Sequence, residues 1–118
     1  RTAGHRPTDS RGAGAAAGIT YLMTGDPEKA AQAMIVVLGN LVGMVCDGAK
    51  YTCALKVGTG ALEAYHAALL VMNGHSPDPQ GVVGETIEQT VKNLVEVSEK
   101  GMGNLDKAII DVINRRFV

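Results

Sequence analysis

The sequence predicts an all-α protein, a bundle of about five helices in which two central, buried helices are joined at the segment Cys46–Cys53. Three observations carry this prediction. Apolar residues recur at the three-and-four spacing of a helix face, and no period of two lasts long enough to make a convincing strand. Helix starts and stops are written locally, at Asp26-Pro27, Asn73-Gly74 and Asn104. Finally, 46% of the residues are hydrophobic but only 3% aromatic, with no Trp. A core of Ala, Val, Ile, Leu and Met, opened further by 15 glycines, suits helices that approach closely. At 118 residues there is material for one domain and too little for two.

Residues 1–11 are polar and mixed, with Pro7 and Asp9-Ser10, and read as a leader or linker; the helical domain is expected over 12–118. From Gly12 the composition turns abruptly to Ala and Gly, which predicts a tightly packed helix to Thr24. Asp26 then suits an N-cap, Pro27 the first helical position and Glu28 the positive helix end. The helix that follows is expected to run to about Val45. Its apolar residues cover nearly the whole circumference, which places it centrally.

Asp47-Gly48 interrupts that pattern. A second long helix follows from Ala49 or Tyr51 to Met72, with Gly58 and Gly60 as candidate bend points, and Asn73-Gly74 ends it. Residues 75–79 form a turn-rich loop around Pro77 and Pro79. Two amphipathic helices close the chain. Ile87, Val91, Leu94 and Val95 form the stripe of the first. Leu105, Ala108, Ile109, Val112, Ile113 and Phe117 form that of the second, with Asn104 as its N-cap. No internal repeat is present.

A formal charge of −1 gives no general attraction for nucleic acid or anionic membranes, and no nucleic-acid motif accompanies the scattered basic residues. The uncharged run from Ala30 to Cys46 falls at the lower limit for a membrane span. It contains Gln32, Asn40 and two glycines and is closed by Asp47, so it reads as a buried helix. Its apolar circumference is hard to cover within so short a chain, which points to a homo-oligomer or to association with a missing N-terminal portion. No secretory signal is evident, and a reducing, cytoplasmic setting is expected for the two cysteines.

The most informative stretch is Cys46-Asp47-Gly48-Ala49-Lys50 followed by Cys53-Ala54-Leu55-Lys56. It gathers both thiols, a carboxylate and two ammonium groups within one polar interruption between apolar runs. Thiolates beside an ammonium suit a soft metal or an iron–sulfur cluster. On one continuous helix the two sulfurs would share a face but stand about 10.5 Å apart along the axis, too far for a single zinc ion. A turn at Asp47-Gly48 would bring them together near the amide groups of a helix start. The plainer alternative is two buried structural cysteines.

The text from Gly39 to Lys50 (GNLVGMVCDGAK), with Cys53 to Lys56 (CALK), resembles iron–sulfur-dependent L-serine dehydratase α-subunit-like proteins, which include L-cysteine desulfidases. Gly18-Ile19-Thr20-Tyr21-Leu22, Gly81-Val82-Val83-Gly84, Thr90, Asn93 and Gly101-Met102 are similar to that family as well. The resemblance implies a β-elimination lyase that converts L-serine or L-cysteine to pyruvate and ammonia, with water or sulfide lost on the way. It also implies a [4Fe–4S] cluster held by three cysteines. By this carry-over Cys46 and Cys53 are cluster ligands, and the third ligand has no counterpart in this chain. Lys50 becomes the catalytic candidate, with Asp47 and Lys56 as substrate-positioning candidates. Family members are several times longer, so the isolated chain is expected to be incomplete for catalysis.

The alternative is a non-catalytic helical assembly module with reduced, structural cysteines. It predicts both sulfurs packed among Leu, Val and Ala, with Lys50 in solvent, whereas a cluster site needs thiols facing a polar, partly charged wall. Glu63 and His66 lie one turn apart and read as a hydrogen-bonded contact at the rim of the bundle. Tyr21, Tyr51 and Tyr65 read as packing at the edge of the core.

Overall fold

The computed structural model describes residues 6–45, 47–48 and 50–116. Among them are five helices and no strand: α1 (Arg6–Thr24), α2 (Pro27–Leu41), α3 (Tyr51–Met72), α4 (Ile87–Gly101) and α5 (Leu105–Arg115). The all-α expectation holds. Phe117, assigned by its spacing to the last apolar stripe, lies outside the described residues.

The first turn follows its local chemistry. Gly25 takes φ +67°, a left-handed conformation open to glycine, and its N–H donates to the Tyr21 carbonyl at 2.8 Å. Asp26 then caps α2, accepting from the Glu28 N–H at 2.9 Å, with Pro27 in the first turn. A two-residue link folds α1 back along α2 as a helical hairpin. Gly12, early in α1, consequently lies beside Val37, late in α2.

Close approach rests on small side chains. A Cβ built on Gly12 would stand 3.2 Å from both the Gly60 carbonyl oxygen of α3 and Val37 Cγ1. The shared core is Ala13, Ala16, Ala33, Val37, Leu38, Leu41, Ala64, Ala67 and Val71, with Met34, Ile87 and Leu94 packed against it. Alanines let helix axes draw together, and dispersion between closely packed backbones stands in for large side chains. Gly60 is therefore a packing position inside a continuous α3, not a bend.

α2 touches α1, α3 and α4, as the apolar coverage of its circumference requires. It ends four residues sooner than its composition predicts, at Leu41, and the Val45 carbonyl beyond that end accepts from Lys56 of α3. α1 begins at Arg6 and so takes in part of the stretch read as a linker. Asn104 does sit at the N-cap of α5, but its side chain makes no capping bond.

The loop before α4 is stitched to that helix. Thr86 caps it by accepting from the Gln89 N–H at 3.1 Å. The Gly84 N–H donates to Thr90 Oγ1 at 3.0 Å, and Asn93 Nδ2 donates to the Val82 carbonyl at 3.0 Å. α5 touches no other helix among the described residues and buries none of its side chains. The molecule is accordingly long, 54 × 28 × 18 Å. Its radius of gyration is 15.4 Å, against about 13 Å for a compact chain of this length.

Gly12→Leu should force α1 off α3 and cost about 1–3 kcal/mol. Gly58→Ala, whose Cβ would meet nothing within 4 Å, should instead stabilise α3 by about 0.5–1 kcal/mol. Thermal unfolding followed by circular dichroism reads both, and equal effects of the two substitutions would contradict the packing described.

Candidate functional site

The polar segment between α2 and α3 is held by one lysine. Lys56, in the second turn of α3, reaches back so that its Nζ donates to the Val45 carbonyl at 2.6 Å and to Asp47 Oδ1 at 3.1 Å. Lys50 Nζ pairs with the other oxygen, Asp47 Oδ2, at 2.7 Å. Asp47 thus bridges two ammonium groups. Gly48, at φ +113°, turns the chain between Asp47 and Lys50 in a conformation that side chains rarely adopt.

The three charges differ in exposure. The Lys50 side chain is 51% exposed and that of Lys56 27%, with Asp47 between them at 37%. Lys50 is the more accessible ammonium, and Lys56 is the strut. Hydrogen bonds from Lys50 first and Lys56 second lower the Asp47 pKa from the ordinary 3.8 to about 2.

Cys53 lies in the first turn of α3, half-buried, and its N–H donates to the Lys50 carbonyl at 2.9 Å. Lys50 occupies the N-cap with an extended backbone and offers no side-chain cap, so early N–H groups of α3 keep their partial positive charge. With two ammonium groups against one carboxylate, the corner is net cationic. It suits a carboxylate or a thiolate. Cys46 lies outside the described residues.

The structure brings Lys50 and Lys56 onto the two oxygens of Asp47 and sets Cys53 between the two lysines in sequence, in the first turn of α3. The sequence reading ranked Lys56 behind Lys50 for any role in chemistry and missed its bond to the Val45 carbonyl. That contact joins residues 11 apart to a backbone atom, and no residue type announces it. His66 Nδ1 and Glu63 Oε1 meet at 2.9 Å, as their spacing predicted. Glu63 is buried, and its second oxygen has no hydrogen-bond partner among the described residues.

The donor set decides how far this corner can serve an iron–sulfur cluster. The whole sequence holds two cysteines, and among the described residues no three His, Cys, Asp or Glu side chains converge as metal ligands. A cluster held by three thiolates is therefore not completed within this chain, and no catalytic step is derived through one. Among the described residues no helix is long and apolar enough to cross a membrane.

The Asp47 bridge carries a pH signature. Because its folded-state pKa is depressed, the bridge contributes fully above the ordinary aspartate pKa and is lost as pH falls from there through about 2. Carboxyl-detected NMR titration should place the Asp47 midpoint near 2. Lys50→Met should raise it toward 3.8, and Lys56→Met should do so by less. An unchanged midpoint in both variants would refute the bridge.

The family model described as "Serine dehydratase alpha chain" matches residues 9–111. A UPF0597 protein of Kosmotoga olearia is 43% identical over 108 residues, covering 91% of this chain and 26% of that protein. One of Alkaliphilus oremlandii is 47% identical over 103 residues, covering 86% and 24%. One of Aliivibrio salmonicida is 41% identical over 101 residues, again 86% and 24%. The chain spans about a quarter of the length of these curated relatives. No solved structure matches it. A match over most of the chain, through the corner built by Asp47, Lys50, Cys53 and Lys56, shows that this chain belongs to the serine dehydratase alpha chain family.

Proposed function

We propose that this chain is the helical, thiolate-bearing part of an iron–sulfur lyase that removes water from L-serine, or sulfide from L-cysteine, to yield pyruvate and ammonia. Membership of the serine dehydratase alpha chain family supports the reaction class. The observation that carries the reading to residues is the cationic corner at the start of α3, where a half-buried thiol shares two helical turns with Lys56, one of the two lysines that Asp47 bridges.

In this reading Cys46 and Cys53 are two of three thiolate ligands, and the third comes from the remaining portion of the family polypeptide. A [4Fe–4S] cluster held by Cys46, Cys53 and that third thiolate would supply Lewis acidity when bound. This chain's own side chains do the rest of what is assigned here. Lys56 stays with Asp47 and the Val45 carbonyl and fixes the segment. Lys50, half exposed, can exchange Asp47 for a substrate carboxylate and so hold the substrate in place beside the thiols. A protein base takes the α-proton and the β-group departs protonated, as water or hydrogen sulfide, leaving aminoacrylate. Water converts this, through its imine, to pyruvate and ammonia. The thiolates suit a reducing, cytoplasmic setting.

A second reading has its own support. The open faces of α3 and α5 and the incomplete ligand set fit a helical assembly module without catalysis. The two separate in one experiment. This chain replaces the matching 108 residues of the Kosmotoga olearia relative, and the chimera is reconstituted anaerobically with iron and sulfide. The lyase reading expects bound iron and acid-labile sulfide and pyruvate release from serine or cysteine. Cys53→Ser should abolish both, and Lys50→Met should lower turnover at least ten-fold with iron retained. A folded chimera without iron would leave the module.

A further inference from the structure

α3 is apolar on two opposite sides, and among the described residues only one is packed. At about 100° per residue, Gly60, Ala64, Ala67 and Val71 point to the core. Tyr51, Leu55, Gly58, Leu62, Tyr65, Leu69 and Met72 recur at alternating steps of four and three. They fall within an arc of about 100° on the far side of the helix. They stand open: Tyr51 is 80% exposed, Leu55 54%, Leu62 76%, Tyr65 59% and Leu69 39%. A Cβ on Gly58 would meet nothing within 4 Å. The stripe has the spacing of a coiled-coil seam over three heptads and lies uncovered among the described residues.

We propose that this outer face of α3 is the docking seam for a helix from the remaining three quarters of the family polypeptide. Two observations select that occupant. The relatives carry about three quarters of their length beyond the matched region. Area argues against a second copy. Two α3 helices laid side by side over about 33 Å, on strips about 10 Å wide, would remove only about 700 Å² from water. Stable association of separate molecules takes about 1,200 Å² or more, which the remaining polypeptide can reach by also covering the exposed Ile110, Val112 and Ile113 of α5.

The seam's flanks describe the partner. Thr52, Thr59 and His66 follow it on one side and Ala54, Ala61 and Ala68 on the other. The two acidic or basic residues of α3, Lys56 and Glu63, both lie toward the core side. The docking helix should therefore have an apolar stripe with uncharged edges, and it should come close at Gly58, Ala54 and Ala61.

The inference rests on the family reading but does not depend on the cluster. Cys53 projects from the opposite side of α3, so seam and thiol can be changed separately. Tagged chain is co-expressed with the Kosmotoga olearia relative from which the matching 108 residues have been deleted, and the co-purified relative is quantified. A stoichiometric complex is expected. Leu55→Glu with Leu62→Glu should reduce it at least ten-fold while circular dichroism shows unchanged helix content in the chain alone. Gly58→Phe, which fills the open notch without adding charge, should act likewise. Cys53→Ser should leave the complex intact, so loss of the cluster reading alone would not touch this result. No complex with the unaltered chain, or full binding by the Glu variants, would overturn the proposal. So would dimerisation of the isolated chain, in sedimentation at micromolar concentration, that those same variants abolish.

Discussion

Everything in this chain hangs on how closely α1 lies against its neighbours. Where Gly12 meets the Gly60 backbone and Val37, there is room for hydrogen atoms and no more. That approach makes an alanine core workable, because buried area comes from backbone surfaces as much as from side chains. It also sets the level at which α3 stands beside α1. The inner face of α3, the start of that helix and the polar corner built there follow from the same contact.

The polar corner is a consequence of where α2 stops. Val42 and Gly43 are weak helix formers, and Lys56 holds the Val45 carbonyl in exchange for the helical bond it gives up. Gly48 then turns the chain so that Asp47 faces both ammonium groups. Backbone and charge are satisfied together. The corner is rigid through Lys56 and adaptable through Lys50, which fits a site where one cation holds the frame while the other meets a ligand.

Much of this was legible in the residues. Asp26-Pro27 and Asn73-Gly74 mark helix ends through chemistry confined to a few neighbouring atoms. The cysteine segment announced itself by gathering residue types that apolar packing excludes. Long-range contacts were not legible. α2 ends four residues short of what its composition predicts, and the Val45–Lys56 bond beyond that end is visible only in the packed structure. Tyr21, Tyr51 and Tyr65 read as core-edge side chains because amphipathic rings usually are. All three stand exposed, two of them on the outer side of α3. High apolar content alone does not say whether a helix is buried by its own chain or by another. The spacing of Leu55, Leu62 and Leu69 was present in the text, but only the core's use of the opposite face made it conspicuous.

The two-sidedness of α3 has a consequence for how tolerant this chain will look to substitution. In isolation, a leucine on the outer side is a surface residue, and replacing it with a polar one should pass unnoticed or even improve solubility. Inside a larger assembly the same position is interior. Selection acts on the assembled form, so replacements harmless to the fold of this segment would be purged for reasons its own stability never registers. The inner side, with Ala64 and Ala67, would be constrained in both settings. A survey of tolerated substitutions along α3 would thus record two different histories on one helix, half a turn apart.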